Sequence, residues 1–85
     1  MIRLSGKRTA RAGTEVCIDA ISIGIGLSVH VEVNGKKIPF DLSIDKKADT
    51  AVICFKMPPR EKGGVLITAT NSSGGRGATH AVVSL

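Results

Sequence analysis

Apolar and polar side chains alternate one for one along most of this chain. That period of two suits a β-strand with one buried face, and an α-helix of 3.6 residues per turn cannot present it. Along Thr14–Ala20, Val16, Ile18 and Ala20 share one face and Glu15, Cys17 and Asp19 the other. Ser28–Val33 sets three valines against Ser28, His30 and Glu32. The Asn34-Gly35 that follows is a strong hairpin signal, because both residues tolerate the positive φ of a type I′ turn. The return segment puts Ile38, Phe40, Leu42 and Ile44 on one side and Asp41, Ser43 and Asp45 on the other. Pro39, with no N–H to donate, places that segment at a sheet edge or gives it an irregular start. Ala51, Ile53, Phe55 and Met57 then alternate with Val52, Cys54 and Lys56 until Pro58-Pro59 ends the strand. Val65, Ile67 and Ala69 form the next inward set, and in the final strand either Ala81, Val83 and Leu85 or His80, Val82 and Ser84 face inward. With an N-terminal strand near Ile2–Leu4 or Arg8–Arg11, the reading is all-β, a sandwich or small barrel of about seven short strands.

Eighty-five residues hold one domain with one modest core. Residues 1–85 are read as that domain, residues 1–12 being an extended arm or an edge strand. With only Phe40 and Phe55 as aromatics, the core is built from Val, Ile, Leu and Ala. Net charge is +5, from twelve Lys and Arg against seven Asp and Glu. The bases are dispersed, and the densest group, Arg3, Lys7, Arg8 and Arg11, is the candidate contact for a polyanion or an acidic protein surface. The lack of Trp and Tyr counts against single-stranded nucleic acid, which needs aromatic platforms for stacking. Met1–Arg8 has charge but no apolar stretch behind it, so the expectation is synthesis in the cytoplasm without a cleaved signal. No run approaches the roughly 20 apolar residues of a membrane span.

Catalytic constellations are missing. His30 and His80 are isolated on strands, with no nucleophile and orienting acid placed beside them. Gly74-Gly75-Arg76-Gly77 lacks the Lys-Ser/Thr and following helix of a phosphate loop, and reads as a hairpin tip offering Arg76 as a contact. Two cysteines and two histidines show no metal-ligand spacing. The expectations are therefore no enzymatic activity, no cofactor and no metal. Ile21, Ile23, Ile25 and Leu27, punctuated by Gly24 and Gly26, are too apolar for a plain loop. They cap the core or meet a partner.

The order of these segments resembles the TIG-like (IPT) immunoglobulin-fold domains. The resemblance rests on Ala12–Val16 opening a strand, Val29–Lys37 with its Asn-Gly turn, Asp49–Pro58, and Gly64–Asn71 with the Ser72–Gly75 turn. The Gly-Xaa-Asn-Phe element usual in that family is replaced here by Ile21–Gly26. The resemblance implies a binding, spacing or structural module without catalytic residues. It also implies that the strands bearing Cys17 and Cys54 are neighbours in one sheet, and alternation turns both thiols outward. The pair is then either reduced, behaving as small hydrophobes, or bonded within or between chains. As a free-standing module the chain looks like the small Ig-like accessory or decoration proteins of bacteriophage virions. That likeness implies docking on capsid or tail proteins and a virion-surface location, and self-association would supplement so small a core. A small basic β-barrel binding nucleic acid through the N-terminal cluster is the alternative.

Overall fold

The computed structural model describes residues 1–73 and 77–85. Among the described residues nine strands form two sheets, where the sequence pattern suggested about seven strands. The strands are β1 (Arg3–Ser5), β2 (Thr9–Ala10), β3 (Glu15–Ile21), β4 (Ser28–Val33), β5 (Lys36–Lys37), β6 (Asp41–Asp45), β7 (Thr50–Lys56), β8 (Val65–Thr70) and β9 (Ala78–Ser84). One sheet has the order β1-β3-β7-β6 and the other β2-β9-β8-β4-β5. All neighbours are antiparallel except β2 and β9. The only helical turn among the described residues is a 3-10 turn at Arg60–Lys62.

The two additional strands arise where the chain changes sheets. The N-terminal segment contributes β1 to one sheet and, after Gly6, β2 to the other. Gly6 has φ of +154°, and a Cβ there would stand 2.7 Å from Ile18 Cδ1, so the crossing passes too close to the core for a side chain. The second change follows the Asn34-Gly35 turn, whose φ values of 51° and 82° are those a type I′ hairpin requires. After β5, the Ile38 N–H donates to the Val31 carbonyl at 2.9 Å, and the chain then leaves β4 to pair as β6 with β7. Pro39 sits in this crossing, where no ladder donor is needed.

Alternation sorts the side chains as the sequence indicates. Val16, Ile18 and Ala20 of β3, Val31 and Val33 of β4, Ala51, Ile53 and Phe55 of β7, and Val65, Ile67 and Ala69 of β8 are buried. The main core lies between the sheets, and a smaller cluster of Ala20, Ile23 and Ala51 closes one end with Leu4 and Leu27 against it. On β9 the inward set is His80 and Val82. His80 tolerates that position because its Nε2 meets the Lys7 carbonyl oxygen at 2.9 Å, which makes Nε2 the protonated nitrogen. Among the described residues no buried side-chain nitrogen or oxygen lacks a hydrogen-bond partner.

Candidate functional site

The Ile21–Leu27 segment divides into parts with different roles. Ile21 stands on the outer face of β3, Ile23 is buried at 3% exposure in the end cluster, Leu27 is half-buried, and Ile25 projects at 79% exposure. Ile23 is therefore a core cap. Two neighbouring turns hold the loop. The Asp49 carboxylate accepts the Gly24 N–H at 2.9 Å, and the Asp49 carbonyl accepts the Ile23 N–H at 3.2 Å. From the other side Asn71 Nδ2 donates to the Ile23 carbonyl at 3.0 Å, while the Ser72 hydroxyl and N–H both donate to the Ile25 carbonyl. Gly26 is required here: its φ is +72°, and a Cβ would come 2.6 Å from Ser72 Oγ. A strongly exposed isoleucine is thus presented on a fixed backbone.

Beside it runs the edge strand β6, whose Leu42 and Ile44 share the face of Ile53 and Ala51 yet stay exposed. Ile44 remains 48% exposed and Leu42 38%. Together Ile23, Ile25, Leu27 and Ile44, with Lys46 and Asp49 at the rim, line a cleft of about 430 Å³. At the opposite end a second cleft is lined by Val33, Ile38, Pro58 and Pro59 and ringed by Lys36, Lys37 and Lys62. Lys36 and Lys37 adjoin in the sequence, and the hairpin and the 3-10 turn bring Lys62 beside them, tied by Asn34 Nδ2 donating to the Lys62 carbonyl.

The four N-terminal bases are all exposed but do not form one stripe. Arg3 lies on the outer face of β1, Lys7 and Arg8 in the crossing, and Arg11 beyond β2 in the second sheet. Arg76 lies outside the described residues. Phe55 is buried and Phe40 half-buried against the core. His30 is exposed on the outer face of β4, whereas His80 points inward from the same sheet and is engaged with Lys7. The two imidazoles stand on opposite faces and do not cooperate.

Cys17 and Cys54 are directly opposed in the β3–β7 ladder, with Cα atoms 4.1 Å apart and a disulfide joining them on the outer face. The bond links adjacent strands of one sheet, unlike the inter-sheet bridge of antibody domains. Glu15, two residues before Cys17 on the same face, brings a carboxylate oxygen to 3.7 Å from Cys17 Sγ. Glu15 was not singled out by the sequence pattern, since its proximity to both sulfurs depends on the β3–β7 register.

No protein-family model matches the chain, and no curated protein matches it. Among solved structures it is similar to the M1 domain from titin, at a TM-score of 0.62 and 9% identity, over 99% of this chain and 94% of that one. It is also similar to the titin M3 domain, at a TM-score of 0.59 and 17% identity, over 99% and 98%. The sheet orders correspond to strands A, B, E and D facing G, F and C, with C′ added and the first strand shared between the sheets. By topology and by these likenesses the chain has the immunoglobulin-like β-sandwich fold.

Proposed function

We infer that the protein is a non-enzymatic structural and interaction module that docks on a larger protein assembly, with a bacteriophage capsid or tail as the finer reading. The observation that carries it is the tethered apolar end. Ile25 and Ile44, with half-buried Leu27 between them and the core, present aliphatic surface beside a loop pinned by Asp49, Asn71 and Ser72. Little ordering entropy remains to be lost when a partner covers such a surface. An Ig-like module also presents its loops at the ends of the sandwich, and the resemblance to TIG-like domains and to virion decoration proteins gives the same kind of role. The buried and half-buried phenylalanines supply no stacking platform, which favours a protein partner over nucleic acid.

The test is the composition of gradient-purified virions from the strain that produces the chain. Wild-type protein is expected in stoichiometric copies on the particle, and Ile25→Asp combined with Ile44→Asp is expected to remove it while the variant accumulates folded in the soluble fraction. Complete particles lacking the wild-type chain would overturn the capsid or tail reading. Retention of the double variant at wild-type copy number would overturn the assignment of this end as the docking face.

A further inference from the structure

The outer face of the β3–β7 pair carries three ligand atoms of a kind that transition metals select. The Cys17 and Cys54 sulfurs and a Glu15 oxygen all lie within 4.8 Å of one another. We propose that, once the cystine is reduced, Cys17, Cys54 and Glu15 form a thiolate–carboxylate site for Zn²⁺, with water completing a tetrahedron.

The geometry matches the metal. With Zn–S near 2.3 Å and Zn–O near 2.1 Å, tetrahedral angles put oxygen and sulfur about 3.6 Å apart and the two sulfurs about 3.8 Å apart. The Glu15 oxygen already stands 3.7 Å from Cys17 Sγ. The two Cα atoms are 4.1 Å apart and both side chains stand on the same face of the ladder, so once the bond is cut, rotation about χ1 swings the sulfurs apart toward the required separation while the strands stay paired. Glu15 and Cys17 are exposed and Cys54 half-buried, which leaves a path for the ion and for a bound water. Two thiolates and a carboxylate around a dication leave one negative charge, and Lys56, paired with Glu15 in the ladder, lies beside it to compensate.

Reduction does not dismantle the site's frame. β3 and β7 pair over seven residues, from Glu15–Lys56 to Ile21–Thr50, and their buried side chains lie on the other face of the sheet. The chemistry balances. A phosphine reductant and one water convert the disulfide to two thiols and a phosphine oxide, and a thiol reductant does the same by becoming a disulfide itself. Zinc then displaces two protons, one from each thiol. The oxidised cystine cannot supply thiolates, so the bonded pair and the metal site are alternative states of the same residues.

The experiment uses the full chain, reduced with a phosphine, freed of reductant without oxygen, and titrated with Co²⁺ and then Zn²⁺. One equivalent of Co²⁺ is expected to give a near-ultraviolet thiolate-to-metal absorption that one equivalent of Zn²⁺ abolishes. The oxidised protein and the Cys17→Ser and Cys54→Ser variants should give none. Glu15→Gln should weaken binding by more than the roughly tenfold that loss of an outer-shell partner costs. Amide spectra of the reduced protein should stay dispersed. Loss of that dispersion, absence of binding by the folded reduced protein, or equal binding by Cys17→Ser or Glu15→Gln would each overturn the proposal.

Discussion

The His80 imidazole Nε2 and the Lys7 carbonyl oxygen lie 2.9 Å apart, although the two residues are 73 positions apart in the chain. This bond fastens the segment where the chain passes from one sheet to the other. Its neighbours reinforce it, for the Val83 N–H donates to the Arg8 carbonyl and the Leu85 N–H to the Ala10 carbonyl.

Replacing His80 with Ala removes a side chain that is only 8% exposed and leaves the Lys7 carbonyl without this partner. The expected loss is about 2 kcal/mol, from the hydrogen bond together with the cavity. In urea denaturation followed by circular dichroism the midpoint should fall with an unchanged slope, and Tm should drop by about 10 °C. A midpoint equal to wild type would show that the N-terminal crossing is held by its strand hydrogen bonds alone.

Most of this architecture is legible in the sequence, for a reason that also explains what is not. Alternation decides which side of a strand is buried, and it does so for Val16–Ala20, Val31–Val33, Ala51–Phe55 and Val65–Ala69 because each strand offers a single apolar face. It is silent on which sheet a strand joins. Ile38–Asp45 alternates without a break and reads as one strand, yet its first residues still bond to β4 and its last to β7. On β9 both faces carry a valine, Val82 and Val83, so the pattern cannot choose between them; the structure buries Val82 together with His80, whose imidazole is satisfied by the Lys7 carbonyl. Of the candidate site, the apolar loop is visible as composition. The separation of buried Ile23 from exposed Ile25 needs Asp49, Asn71 and Ser72, which are remote in sequence.

Asp49 holds the loop and itself has φ of 58°, a conformation that Asp and Asn accept more readily than other non-glycine residues. Asp49→Ala combines the loss of the Gly24 bond with left-handed strain and is expected to cost about 2 kcal/mol. Asp49→Asn keeps both an acceptor and the tolerance, and should stay within about 0.5 kcal/mol of wild type. Hydrogen exchange at Ile23 and Gly24 should accelerate in the first variant and not in the second. Equal exchange in both would mean that the bonds from Asn71 and Ser72 suffice.

Reducing the Cys17–Cys54 bond opens a link across a sequence separation of 37 residues. The chain-entropy account assigns such a loop about 3–4 kcal/mol, acting through the unfolded state. The reduced protein should therefore unfold at lower denaturant, in one cooperative step, while remaining folded in its absence. A broad, gradual loss of structure on reduction would place the bond in the folding of β3 onto β7 itself.

Ile23 and Ile25 are two residues apart and should respond oppositely to the same substitution. Ile23→Ser places a hydroxyl among Ala20, Ala51 and Leu4 and removes a buried side chain, which is expected to cost about 3 kcal/mol. Ile25→Ser trades an exposed side chain for a polar one, and its effect on stability should stay within about 0.5 kcal/mol. Side by side, the two denaturation midpoints separate the capping role of this loop from its presenting role. If Ile25→Ser destabilised the protein as much as Ile23→Ser, Ile25 would have to be packed in the folded state, and the docking surface would lose its central residue. If Ile25→Ser left stability unchanged but weakened attachment to the assembly, the exposed side chain would be retained for the partner, since the fold itself draws nothing from it.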